Sequence, residues 1–235
     1  MEKNPKQFLE QHETATYMSE RLQAFVDVYH TYHKDILKPL NILDIGCGRE
    51  VELLKYKIKG DRYCGCDFYE SVKAPLDEYR RADFNSNNIS EVWQDQKFDV
   101  IFCGEVIEHV FSPDSLLTEM KALMHEDSIL VLSTPNLDYY VNRILLLLGI
   151  SPLYLENSSE KKLGRKFKAL GQGNVTEGHI RLFTYGALKD ILTMYGFKIV
   201  TCRTMVSQWN FWPDKIFCHL HPSLAATNVI TAKKI

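Results

Sequence analysis

The run Asn41 to Glu50, NILDIGCGRE, constrains this chain more than any other stretch. Ile42, Leu43 and Ile45 read as a strand covered on both faces, and the strand breaks at Gly46, Cys47 and Gly48 into a tight turn. Asp44 stands out inside it, because a buried carboxylate costs free energy unless it is paired or hydrogen-bonded. The glycines accept backbone angles closed to other residues and let a ligand approach the main chain. Val51 to Ile58 is expected to continue as a short helix whose free N–H groups face the same spot. A structural strand-to-turn with a capping Asp is the plain alternative at this point.

The rest of the chain repeats a strand-and-helix rhythm. Residues 6 to 37 carry Tyr17, Met18, Leu22, Phe25, Val26 and Tyr29 at helical spacing, and Pro39 ends the segment. Arg62 to Phe68 reads as a second strand, Tyr79 to Phe84 as a weak third, Phe98 to Cys103 as a fourth and Ile129 to Ser133 as a fifth. Between the last two, Ser112, Pro113 and Asp114 start a helix with a capping serine, and its apolar face is Leu116, Leu117, Met120, Leu123 and Met124. Such alternation predicts an α/β fold with a doubly wound, mostly parallel sheet. Residues 137–178 break the rhythm and are expected to form a lid or acceptor-binding insertion. A helix over Thr184 to Tyr195, a strand over Phe197 to Cys202 and a last strand over Asn228 to Lys233 complete the pattern. We read one domain over residues 1–235, with an N-terminal helical segment at 1–39, a cofactor-binding half at 40–136 and a C-terminal half at 179–235.

Bulk composition names no partner. With 45% hydrophobic residues, 235 residues suffice for a large core, and a net charge of −2 gives no strong field toward nucleic acid or an anionic membrane. The start of the chain lacks a signal-peptide pattern, and the longest apolar run, Ile144 to Ile150, is far short of the roughly 20 residues that span a bilayer. Six cysteines without a C-x-x-C pair read as reduced structural thiols. A cytoplasmic location is the expectation.

Three acids give the opening stretch its meaning. Asp44 precedes the glycine turn, Asp67 ends the second strand 21 residues beyond Gly46, and Asp83 follows the third strand. An acid about 20 residues past such a turn binds ribose hydroxyls in nucleotide-binding α/β units, and open sheets bind ligands at their carboxyl ends. In combination, LDIGCG, GCDF and ADFN resemble the three motifs of the class I S-adenosylmethionine-dependent methyltransferases over roughly residues 40 to 235. The look of CGEVIEHV, STPN and GHIRLFT is similar to ubiquinone-biosynthesis O-methyltransferases and small bacterial methyltransferases. That resemblance implies S-adenosyl-L-methionine as cofactor, with Asp44, Gly46 and Gly48 at its methionine portion, Cys47 among the cofactor-binding residues and Asp67 at its ribose. It places Phe68 beside the site, Asp83 and Phe84 at the adenine, and Cys103 and Gly104 against the cofactor from strand four. Glu50 departs from the family, which often has a third glycine there.

A second constellation lies at Glu105 to His109. If helical, the segment brings Glu105, Glu108 and His109 to one face, where two carboxylates and an imidazole can bind Mg²⁺ or Mn²⁺ or handle protons. By resemblance, an E-x-x-E-H arrangement binds a divalent ion in some ubiquinone-pathway enzymes and in small-RNA 3′-terminal 2′-O-methyltransferases, with His179 as counterpart of a later histidine. A hydrogen-bonded cluster without metal is the alternative. Removing a proton from a hydroxyl nucleophile suits histidine, so His109 is the first candidate base and His179 the second, with Glu105 beside them. Tyr139, Tyr140, Leu145 to Leu148 and Tyr154 are expected to line an apolar acceptor pocket. Lys161, Lys162, Arg165, Lys166 and Lys168 form either a steering patch for an anionic acceptor or a solvated face.

The sequence therefore predicts methyl transfer to oxygen of a small-molecule, lipid-linked or glycan acceptor. An RNA 3′-terminal 2′-O-methyltransferase using a divalent metal is a rival that the near-neutral charge disfavours. A cofactor-binding partner protein without turnover is a second rival. Oligomeric state is not legible.

Overall fold

The computed structural model describes residues 19–36, 38–94, 96–207 and 212–235. Its centre is a seven-stranded sheet: β1 (Asn41–Ile45), β2 (Arg62–Asp67), β3 (Glu78–Arg81), β4 (Phe98–Gly104), β5 (Met124–Pro135), β6 (Phe197–Met205) and β7 (Thr227–Lys234). The strands lie in the order β3-β2-β1-β4-β5-β7-β6, with β1 to β5 parallel and β7 antiparallel to both neighbours. The order reverses between β1 and β4, so the crevice beyond their carboxyl ends is the place where such a sheet accepts a ligand.

Strand alternation explains why these strands read as unbroken apolar runs. Leu43, Ile45, Ile101, Cys103, Leu130 and Leu132 point into one core, under the helices Pro113–Ala122 and Tyr185–Met194. Ile42, Val100, Phe102, Ile129 and Val131 point into a second, under helix α1 (Glu20–Asp35), which contributes Ala24, Phe25, Val28 and Tyr29. Both faces are dry, so both residue parities are apolar. Asp44 takes the α1 side of β1, the parity of Ile42.

Several boundaries differ from the sequence expectation. Ser19 caps α1 by accepting from Leu22 N at 3.2 Å, while Tyr17 and Met18 lie outside the described residues. The helix expected over 51–58 is a five-residue 3₁₀ turn, Glu52–Tyr56, entered through Val51 in the left-handed region (φ 46°). β3 ends at Arg81, leaving Asp83 and Phe84 in the following turn. The helix after Ser112 stops at Ala122, and Met124 opens β5 rather than closing the helix. The patterns did not reveal helix Asp214–Leu220. All six cysteines are free. Among the described residues no helix is long and apolar enough to cross a membrane.

Candidate functional site

The glycine turn after β1 is held by β2. Gly46 N and Cys47 N both donate to Cys66 O, at 2.9 and 3.3 Å. Gly46 (φ 73°) has little freedom in substitution, because a Cβ there meets Val106 Cγ2 at 2.3 Å. Gly48 N donates to Asp67 Oδ2 at 2.9 Å, and Phe68 N to Oδ1 at 2.7 Å, so Asp67 ties the turn to the end of β2. The N–H groups of Gly46, Cys47 and Gly48 are thus taken up within the turn, and the 3₁₀ turn is too short and too far along to aim a macrodipole.

A cavity of about 310 Å³ opens above this turn, lined by Asp44, Gly46, Cys47, Gly48, Glu50, Gly104 and, from α1, Arg21. Burial pushes the Asp44 carboxyl up to about 7, the Tyr63 hydroxyl that donates to it at 2.8 Å and the nearby Arg21 pull it down, and Asp67 pushes it further up. Arg21 makes no ion pair within 4.0 Å among the described residues. Glu50, at the exposed rim of this cavity, pairs with Lys73 at 2.5 Å. Burial raises the Cys47 thiol, which therefore packs as a small hydrophobe.

The remaining expected cofactor residues fall in two places. Phe68, Asp83, Phe84, Val106 and His109 line a neighbouring cavity of about 280 Å³. Asp83 is partly committed to its own turn, accepting from Asn85 N at 3.0 Å and Ser86 Oγ at 2.9 Å. Cys103 corrects the expectation: its side chain points into the opposite core, and Gly104 alone represents the tip of β4 in the first cavity.

Glu105, Glu108 and His109 do not share a helical face. Glu105 adopts φ 57°, only Ile107–His109 form a 3₁₀ turn, and the Glu105 carboxylate accepts from Ser133 Oγ at 2.8 Å. His179 replaces it in the cluster, because Ile180 N and Arg181 N donate to Glu108 O at 2.8 and 3.0 Å and bring the later segment alongside. Glu108, His109 and His179 offer ligand atoms within 4.8 Å of one another. The two imidazole centroids are 5.0 Å apart. His109 Nδ1 lies 3.0 Å from Gly178 O and His179 Nδ1 lies 3.1 Å from Tyr154 O, contacts in which Nδ1 carries a proton and donates to the carbonyl. Glu108 is fully buried. Burial and the neighbouring Glu105 raise its carboxyl above the usual range, Oε2 accepts from Thr134 at 3.0 Å, and Oε1 has no hydrogen-bond partner among the described residues.

His179, Glu105 and Tyr154 line a third cavity of about 540 Å³, which shares Arg21 with the first. Of the expected acceptor-pocket residues only Tyr154 is there. Tyr139 and Leu145 pack in a separate core with Leu153 and Cys218, and Leu146 to Leu148 face solvent. The basic run divides: Lys161, Lys166 and Lys168 are exposed, while Lys162 and Arg165 are buried. Sequence reasoning missed Arg21, Tyr63 and Glu156, which accepts from Glu177 N, Gly178 N and His179 N at 2.7 to 2.9 Å and so shapes the approach to His179. Arg21 left a signal: it falls four residues before Phe25 on the apolar stripe of α1.

A methyltransferase-domain family model matches residues 11–202. A ubiquinone biosynthesis O-methyltransferase of Actinobacillus pleuropneumoniae is 33% identical over 109 residues, 40% of this chain and 45% of that protein. One of Rickettsia felis is 26% identical over 121 residues, 49% of each. The match thus spans about half the length of these curated relatives. Among solved structures, a S-adenosylmethionine-dependent methyltransferase of Archaeoglobus fulgidus superposes with a TM-score of 0.57 at 17% identity, covering 97% of this chain and 99% of that one. A 1,6-didemethyltoxoflavin-N1-methyltransferase of Burkholderia thailandensis, with its substrate and S-adenosylhomocysteine bound, gives 0.54 at 16%, covering 92% and 79%. The likeness to these structures is one of fold.

Proposed function

The chain belongs to the S-adenosylmethionine-dependent methyltransferase family, and on that premise we propose that it transfers a methyl group from S-adenosyl-L-methionine to oxygen of a small-molecule, lipid-linked or glycan acceptor. The observation that carries this reading is the pair of cavities joined at Arg21: one over the glycine turn at the sheet's switch point, the other holding Glu105 and His179.

The residues fit the cofactor. Arg21 is half-buried without an ion-pair partner among the described residues, and the main chain at Gly48 leaves room for close approach. In this reading Asp44 takes the ammonium group, Arg21 the carboxylate and Asp67 the ribose hydroxyls, while Phe68, Asp83 and Phe84 flank the adenine. When bound, the cofactor supplies an activated methyl group. The protein's part is positioning and exclusion of water, with residues 137–178 covering the acceptor cavity of a single domain. His179 Nε2 is the favoured base, because it faces the acceptor cavity with Nδ1 committed to Tyr154 O; His109, on the adenine side, becomes the second. The ubiquinone-pathway relatives support oxygen as the accepting atom.

A specific observation favours a metal-assisted variant of this reading. The unpartnered Glu108 Oε1 and the Nε2 atoms of His109 and His179, with both Nδ1 atoms on backbone carbonyls, have the outer-shell pattern of metal-ligating histidines. Bound there, Mg²⁺ or Mn²⁺ would lower the pKa of an acceptor hydroxyl. The net charge of −2 supports a small acceptor over an RNA terminus.

Calorimetry with S-adenosylhomocysteine tests the cofactor reading, and the absence of binding at millimolar ligand ends it. A screen of acceptors from cell extract with labelled cofactor tests turnover. A partner protein without catalysis would bind the cofactor yet give no S-adenosylhomocysteine with any extract.

A further inference from the structure

Residues 153–177 enclose a cavity of about 190 Å³ that the cofactor reading leaves without a role, lined by Leu153, Tyr154, Lys162, Arg165, Lys168, Ala169, Asn174 and other residues of that segment. Arg165 is 2% exposed. Its guanidinium donates to two backbone carbonyls, Leu170 O at 3.0 Å and Leu153 O, and its Nε has no hydrogen-bond partner among the described residues. No carboxylate lies within 4.0 Å of it among the described residues. Burial lowers its pKa, opposed by the more distant Glu177 and Glu156, yet an arginine remains charged in proteins.

The local balance leaves positive charge over. Lys162 pairs with Glu177, and Glu156 is held by the three backbone N–H groups of residues 177–179, 3.9 Å from the Lys162 ammonium. Arg165 and the rim residue Lys168 remain without a counter-ion in reach among the described residues. A buried cation left unpaired is costly, and a protein retains one where an anion completes it. The loop is also built around the guanidinium. Gly171 (φ 86°) follows the Leu170 carbonyl, and a Cβ there would meet Arg165 Nη1 at 2.9 Å.

We propose that this cavity binds the phosphate group of the methyl acceptor. Arg165 and Lys168, the two lining cations without a counter-ion among the described residues, match a doubly charged tetrahedral oxyanion better than a carboxylate, which would leave one of them over. Tyr154 and Glu177 line both this cavity and the larger one that holds His179. A phosphate seated on Arg165 therefore directs the rest of the acceptor toward the candidate base. The proposal rests on the methyltransferase reading for the word acceptor, but the site itself is read independently.

The test uses the full chain with inorganic phosphate as the probe, titrated by calorimetry, then phenyl phosphate in its place. Wild type binds both in the millimolar range. Lys168→Ala, at the exposed rim, weakens each at least threefold, and Arg165→Met at least tenfold, with Arg165→Lys between wild type and Arg165→Met. S-adenosylhomocysteine affinity stays the same in Lys168→Ala, so failure of the cofactor reading and failure of this site are separate results. No phosphate binding by wild type at tens of millimolar, or binding untouched by Lys168→Ala and Arg165→Lys, overturns the site. Inorganic phosphate bound while the ester is excluded overturns its assignment to the acceptor.

Discussion

Cofactor affinity is expected to climb as the pH rises from about 6 to about 7.5, and Asp44 is the reason. Burial pushes that carboxyl up to about 7 in the ligand-free chain, so near pH 6 most molecules carry it protonated. The proposed ammonium contact takes the ionised form, so affinity falls up to tenfold for each pH unit below that pKa, about tenfold between pH 7.5 and 6. The same group acts on the fold with opposite sign. A carboxyl whose folded pKa exceeds its unfolded value contributes stability that is complete below about pH 4 and lost as the pH rises through about 7. The ligand-free chain accordingly loses up to about 4 kcal/mol from this group across that window, which ligand binding restores in part. Calorimetry with S-adenosylhomocysteine across the window reads the first effect and thermal unfolding the second. Asp44→Asn should bind weakly with a flat profile and, without ligand, melt higher than wild type near pH 8. A flat wild-type profile, or a slope that survives in Asp44→Asn, refutes the reasoning.

Other outcomes follow from the geometry. Asp67→Ala removes the acceptor of Gly48 N and Phe68 N as well as the ribose contact, and should weaken S-adenosylhomocysteine at least tenfold, at about 1.5–3 kcal/mol per charged hydrogen bond; unchanged calorimetric affinity sinks that assignment. Gly46→Ala forces a Cβ against Val106 in a left-handed backbone and should lower stability by about 1–3 kcal/mol in chemical denaturation, whereas a neutral result would mean the turn relaxes freely. His179→Gln should reduce turnover of an identified acceptor by about 10²–10⁴ with cofactor affinity kept, and an unaltered pH–rate profile would move the base elsewhere. Mn²⁺ titration followed by electron paramagnetic resonance should show a bound ion that Glu108→Gln abolishes; a spectrum of free ion alone removes the metal from this site.

The sequence made the sheet legible because both faces are buried, which turns strands into apolar runs such as Phe98 to Cys103 that stand out without an alignment. Asp44, Gly46, Gly48 and Asp67 stood out for a related reason: acids and glycines interrupt an apolar run, and they interrupt it where the strands end. Side-chain direction was not. Cys103 and Gly104 are neighbours in sequence, yet the pleat sends one into the core and leaves the other at the cavity. Arg21 reaches the cavity from helix α1, and its place on the apolar stripe before Phe25 marks it as facing inward without saying what it meets. The Glu105 cluster failed as drawn because a helical spacing was assumed where the backbone turns left-handed at Glu105. Glu108 and His109 met His179 through backbone bonds to the Glu108 carbonyl, which no residue type encodes.

Strand β7 follows β6 in the chain but sits inside it, between β5 and β6. Of the sheet's strands only β7 pairs with β6, so β6 has nowhere to dock until residues 227–234 exist. During synthesis the five parallel strands can assemble early, while β6 waits as an unpaired edge that invites association with other chains. The cofactor end of the molecule is thereby built before its far edge is sealed. A ribosome stalled just short of Thr227 would carry a nearly finished binding cleft on a sheet still open along β5.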